Sequence, residues 1–172
     1  MRYRPSAFHG ALLLAFAAPL AGVSSQTLAA TKAPTAPSAK LMGKWVMDTT
    51  NGADDHGLPK TETLVFAPLN NGFHLTATED DGQGPATSTF DCAPGGASTT
   101  LAANQVMLCT IHLTGDSLLY TVDVLNNGET VSTERGRLVL SASGQTLRDQ
   151  YDATSGSAKA THHRHVYAKA GD

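Results

Sequence analysis

The stretch Thr161-His162-His163-Arg164-His165-Val166-Tyr167 carries three of the seven histidines in the chain. In an extended segment alternate residues share a face, so His163, His165 and Tyr167 point one way and His162, Arg164 and Val166 the other. Two neutral imidazoles at i, i+2 can reach one ion of zinc, copper or nickel. A closed zinc site needs about four ligands, and a catalytic one about three plus water. His56, His74, His112, Asp54 and Asp55 are the other donors whose placement the sequence leaves open. The competing reading is a polar, solvated strand face. His163 and His165 are therefore the candidate metal ligands, and no other cofactor is expected.

Other reactive patterns are thin. Asp54-Asp55-His56 and Glu79-Asp80-Asp81-Gly82 are acidic stretches beside glycine, but neither has the ligand ladder of a calcium loop, and solvated turns account for both. Gly-x-Ser-x-Gly, His-Glu-x-x-His and a glycine-rich phosphate loop are all absent. No catalytic residue is nominated, and the expectation is a protein that binds rather than an enzyme.

The elements that must position these side chains are short strands. Residues 43–48, 61–67, 72–78, 86–90, 106–113, 117–125, 130–140, 146–152 and 161–169 are rich in β-branched and apolar residues and alternate with Gly, Asn and Asp clusters. Within 117–125, Leu118, Tyr120, Val122 and Val124 face one way and Leu119, Thr121 and Asp123 the other. Asn70-Asn71-Gly72 and Asn126-Asn127-Gly128 carry Asn-Gly steps, which accept positive φ and signal hairpins. Asp81-Gly82, Gly115-Asp116 and Ser143-Gly144 are further turn candidates. Residues 97–104 alone tempt a helical turn, against the β-branched Thr99 and Thr100. Such a meander must deal with its edges, and closure removes them. The expected fold is all-β, an antiparallel up-and-down β-barrel of about 8–10 short strands. A β-sandwich competes, with 91–105 as the one connection long enough to cross over.

The first residues carry an expectation about compartment. Arg2 and Arg4, the apolar run 11–20 and the small residues after it have the three-part layout of a secretory signal peptide. Cleavage after Ser25 is expected, with positions 29–30 as the alternative. Leu20-Ala21-Gly22 is followed by Val23, not Cys, so no lipid anchor is expected on the mature form. Residues 26–40, with Ala-Pro-Thr-Ala-Pro-Ser-Ala, read as an extended Pro/Ala tether, and 41–172 as one domain. A periplasmic or secreted location follows. Without Arg2 and Arg4, ten basic residues face fifteen acidic ones, so the net charge moves from −3 to −5. That balance argues against a nucleic-acid partner. In an oxidising compartment Cys92 and Cys109 suggest a disulfide, the alternatives being free thiols or an intermolecular pair.

Leu41-Met42-Gly43-Lys44-Trp45 resembles the opening of lipocalin-like proteins, whose first strand begins Gly-x-Trp. Pro59-Lys60-Thr61-Glu62-Thr63, Ser143-Gly144-Gln145-Thr146-Leu147 and His165-Val166-Tyr167-Ala168-Lys169 resemble, in the same order, segments of small secreted bacterial lipocalin-like (calycin-type) barrels. The usual Asp of the third segment is missing, as is the Thr-Asp-Tyr motif of larger lipocalins. The resemblance implies a lipocalin-like barrel with Gly43, Trp45 and Tyr167 as motif residues. It also implies a basic side chain from a late strand over the indole, for which Arg164 and Arg148 are the candidates.

The resemblance also directs attention to the barrel interior. Phe66, Phe73, Phe90, Leu75, Leu118, Tyr120, Val122, Leu138 and Leu140 are expected to line it, either filling it or leaving room for one small apolar ligand. The expected function is non-enzymatic binding of such a molecule. The alternatives are a protein-binding module of the cell envelope, such as a hydrolase inhibitor, and a weak histidine-based metal binder.

Overall fold

The computed structural model describes residues 36–54, 57–114 and 117–171. The expected leader, most of the tether, Asp55, His56 and the Gly115-Asp116 turn lie outside the described residues. Among those described, a 3-10 turn over Ala39–Leu41 precedes eleven strands. These are β1 (Gly43–Met47), β2 (Ala53–Asp54), β3 (Thr61–Leu69), β4 (Gly72–Asp80), β5 (Ala86–Cys92) and β6 (Ala97–Ala102). They continue with β7 (Gln105–Thr114), β8 (Ser117–Asn126), β9 (Glu129–Leu140), β10 (Thr146–Ser155) and β11 (Thr161–Lys169).

Ten strands lie in the order β5-β4-β3-β1-β11-β10-β9-β8-β7-β6, and β2 adds to β11. The pairs along this order are antiparallel. Most neighbours are also neighbours in sequence, because the hairpin turns carry the right residues. Asn70 has φ 22°, and Asn127 and Gly128 have φ 52° and 83°, the left-handed values that Asn and Gly tolerate. The chain is an all-β, nearly closed, antiparallel up-and-down barrel. The crossover needed for a sandwich does not occur: β6 occupies the middle of that long connection.

Two local expectations change. Residues 97–102 form a strand, not a helical turn, because β6 finds a partner in β7, with Ser98 opposite Leu108 and Thr100 opposite Val106. Tertiary pairing overrides weak local propensity here. Ala39 and Lys40, expected in the extended tether, instead belong to the 3-10 turn. Ser38 caps that turn and Leu41 is buried beneath it.

The barrel closes across a seam between β5 and the β6–β7 hairpin. Asp91 donates its amide to Thr99 Oγ1 at 3.2 Å, and Ile111 donates its amide to the Ala93 carbonyl at 3.2 Å. The Cys92–Cys109 disulfide spans the same seam with Cα atoms 4.8 Å apart. Gly72 sits close by: a Cβ there would lie 1.8 Å from the Cys92 carbonyl oxygen, so this crowded corner needs glycine.

At the end of the barrel that the 3-10 turn crosses, Leu41 and Trp45 are buried. Trp45 is fully buried and donates Nε1–H to the Leu41 carbonyl at 2.8 Å. Phe66 and Phe73 meet edge to face. The cation over the indole is Lys169, its Nζ 5.1 Å from the ring centroid. This corrects the assignment to Arg164 or Arg148. Both arginines are exposed, on the positions of β11 and β10 that alternate with buried His165, Tyr167, Leu147 and Asp149. Lys169 pairs directly with Trp45 across β11 and β1 and also donates Nζ to the Lys40 carbonyl.

Candidate functional site

Alternation decides which side chains enter the barrel. On β3, Glu62 shares its face with Leu64 and Phe66, and on β10 Asp149 shares its face with Leu147 and Tyr151. On β9, Glu134 follows the parity of Gly136 and Leu138. Closure therefore carries three carboxylates inward along with the apolar residues. They gather toward the end opposite Trp45.

The interior holds a cavity of about 240 Å³. Leu64, Phe66, Phe73, Leu75, Phe90 and Met107 are among its apolar walls, while Glu62, Glu134, Asp149, Tyr120 and Tyr151 form its polar part. Glu79 and Ser88 line it too and are solvent-exposed, so they stand at its mouth. Among the described residues that line it, none is Lys or Arg. A second, more open hollow of about 380 Å³ lies at the other end, beneath the 3-10 turn, and Leu138 lines both. The nine residues expected to line the interior all belong to the core or pack against it. They pack around space rather than filling it.

The polar part is densely bonded. Tyr120 donates to Asp149 Oδ1 at 2.9 Å, and Tyr167 donates to Glu62 Oε2 at 2.8 Å. His165 brings Nδ1 to 2.9 Å from Glu62 Oε2 and Nε2 to 3.2 Å from Asp54 Oδ2. His163 Nδ1 bonds the same Asp54 oxygen, and its Nε2 lies 2.7 Å from Thr161 Oγ1. Tyr151 stacks on His163 with centroids 4.4 Å apart. Gly136 makes room for the ring of Tyr120, which a Cβ there would meet at 2.3 Å.

Protonation follows from this crowding. Burial, then the charge of Glu134, pushes the Asp149 carboxyl well above its ordinary range, with the Tyr120 hydrogen bond acting the other way. Burial likewise raises Glu134, and partial desolvation at the cavity mouth, followed by the charge of Glu62, raises Glu79. Burial also keeps the Tyr120, Tyr151 and Tyr167 phenols protonated as donors. For His165 burial acts downward, but the hydrogen bond and charge of Glu62, then Asp54, outweigh it and push the imidazole up to about 9.

These shifts have one sign in their effect on stability. A carboxyl whose pKa is higher folded than unfolded holds more protons in the native state, so raising the pH destabilises the fold. Asp149 and Glu134 begin this loss above about pH 4, the ordinary carboxyl range. His165 adds stability that is complete below about pH 6.5 and disappears as the pH rises through about 9. The groups facing Asp149 are Glu134, Tyr120, His165 and Glu62. We therefore expect the urea midpoint to fall steadily from pH 5 to 9. Asp149→Asn, which still accepts from Tyr120, makes the slope shallower by up to about 1.4 kcal/mol per pH unit, the contribution of one proton. An unchanged slope in that variant refutes the role of Asp149.

Of the side chains singled out in the sequence, His163, His165 and Tyr167 share the inner face of β11, and Asp54 joins them through β2, opposite His163. His74 pairs with Asp91 at 2.6 Å elsewhere on the barrel, and His112 is exposed on β7. Asp80 and Asp81 accept the amides of Gly82, Gly84 and Gln83, as turn-forming residues do. The sequence reading missed Glu62, Glu134, Asp149 and Tyr151. The available signal was a carboxylate in phase with apolar positions of its own strand.

No protein-family model and no curated protein matches the chain. Solved structures do. A secretory abundant heat soluble protein from Ramazzottius varieornatus superposes with a TM-score of 0.53, at 12% identity, over 78% of this chain and 98% of that one. A fatty acid transporter, REP1-NXSQ, superposes with a TM-score of 0.50, at 9% identity, over 78% of this chain and 99% of that one. Fold and likeness together define the architecture: a lipocalin-like, antiparallel up-and-down β-barrel.

Proposed function

We propose that the barrel binds a small amphipathic molecule inside, without transforming it, in the periplasm or outside the cell. The observation that carries this reading is the 240 Å³ cavity, apolar along Leu64, Phe66, Phe73 and Phe90 and polar at Glu62, Glu134 and Asp149. The similarity to a barrel named as a fatty acid transporter supports interior binding. The secreted location rests on the leader pattern of residues 1–25. Ligand pockets for drug-sized molecules hold about 300–1,000 Å³, so the ligand here is shorter than those. Its head is neutral or cationic, because no Lys or Arg among the described residues lines the cavity to pair with a carboxylate, and the burial and crowding that already raise Asp149 and Glu134 oppose a further negative charge there.

Thermal unfolding with medium-chain alkyl amines, alcohols and acids of matched length tests this. Amines and alcohols raise the melting temperature, by the equivalent of about 2.7 kcal/mol at a hundredfold excess over Kd. Acids do not. Ala77→Phe, which places a ring in the cavity, removes the response. A wild-type chain indifferent to the whole panel overturns the reading.

A further inference from the structure

We infer that Asp54, His163 and His165 form a binding site for a divalent transition-metal ion, with Glu62 and Thr161 orienting the two imidazoles. This site lies beside the cavity and stands or falls independently of what the cavity holds. Its ligand atoms, one from each residue, all lie within 4.8 Å of one another. The side chains are largely buried, with 6% of Asp54, 11% of His163 and 4% of His165 exposed.

An ordinary ion pair brings one nitrogen to one carboxylate. Here two rings, from alternate positions of one strand, aim Nδ1 of His163 and Nε2 of His165 at the same oxygen, Asp54 Oδ2. The far nitrogen of each ring is held in turn. His165 Nδ1 meets Glu62 Oε2 at 2.9 Å and His163 Nε2 meets Thr161 Oγ1 at 2.7 Å. Metal-bound histidines characteristically have their other ring nitrogen bonded to a carboxylate or another oxygen, which fixes the tautomer and turns a lone pair toward the ion. Glu62 is itself steadied by Tyr167, and His163 by the stacked ring of Tyr151.

The dimensions suit zinc. Metal–ligand bonds of about 2.0–2.2 Å place ligand atoms roughly 3.4 Å apart in a tetrahedron. Asp54 Oδ2 and His165 Nε2 already stand 3.2 Å apart. An ion entering between the three atoms replaces their shared hydrogen-bonding protons, which leave to solvent. Two imidazoles and one carboxylate are a borderline donor set that favours zinc, copper, nickel or cobalt over magnesium or calcium. Three protein ligands leave one position for water. The ion would join β2, a two-residue strand, to the inner face of β11.

The test is calorimetric titration of Zn²⁺ into the chelator-treated full chain, purified without a histidine tag. One ion binds per chain, and Co²⁺ in its place shows the visible absorption of a four-coordinate site. Asp54→Asn and His163→Ala each weaken binding by more than tenfold. Glu62→Gln weakens it by about tenfold, as loss of an orienting partner does. His74→Ala leaves it unchanged. Circular dichroism confirms that each variant is folded, and Asp54→Asn decides the matter if substitutions at His165 are not. No zinc uptake by the folded wild-type chain up to millimolar concentration overturns the assignment. So does undiminished affinity in His163→Ala/His165→Ala or in Asp54→Asn.

Discussion

Replacing both Cys92 and Cys109 by alanine is expected to lower the stability of the barrel by about 3 kcal/mol. The bridge closes a loop with a sequence separation of 17 residues, and releasing that loop returns entropy to the unfolded chain. The native state is affected as well, because the bridge sits on the seam. Along β5 and β6 each strand has a ladder partner on one side alone, β4 and β7 respectively. Across the gap the main-chain contacts are an isolated bridge between Ala93 and Thr110 and the bond from Ile111 to Ala93. Urea midpoints with and without reductant measure the loss. Hydrogen exchange locates it, with β5 and β6 losing protection before β8–β11. If reduction leaves both midpoint and protection unchanged, the few hydrogen bonds hold the seam by themselves.

Trp45→Ala is expected to cost about 3–5 kcal/mol, the range for deleting a large buried aromatic side chain. The indole is fully buried, so the loss is both transfer free energy and cavity. Two further contacts go with it. The Leu41 carbonyl loses the Nε1–H donor that anchors the 3-10 turn, and the Lys169 ammonium loses the ring beneath it. Trp45→Phe keeps most of the packing but not the donor, so it separates the two contributions and should cost less than half as much. Because Trp45 is the one tryptophan in the chain, circular dichroism rather than fluorescence must follow these variants. A loss below about 1 kcal/mol for Trp45→Ala means that the end of the barrel collapses around the gap.

Much of this architecture is legible in the chain because strand periodicity is local. The alternation of 117–125 places Leu118, Tyr120 and Val122 on one face, and that face is the inner one. Asn-Gly steps mark the β3–β4 and β8–β9 hairpins, the positive φ falling on Asn127 and Gly128 in the second and on Asn70, just before the step, in the first. The same alternation puts His163, His165 and Tyr167 together. It does not reveal that Lys169 rather than Arg164 covers the indole. That depends on which position of β11 stands opposite Trp45, a matter of register between distant segments. Nor does it reveal that Asp54, more than a hundred residues earlier, pairs with His163.

The acidic interior shows the division most clearly. Glu62, Glu134 and Asp149 occur on three strands, and each alone looks like a polar residue at a solvated edge. The sequence by itself determined nine of the eleven strands, most of their turns, the two faces of those strands and the pair of thiols. All of these depend on neighbours within a few residues. Which face became the interior, how the strands were ordered, and which carboxylates met which histidines were decided only when the sheet curled and closed. Closure is a long-range event: it converts a two-sided sheet into an inside and an outside, removes the inner groups from water, and thereby raises the pKa of Asp149 and of Glu134.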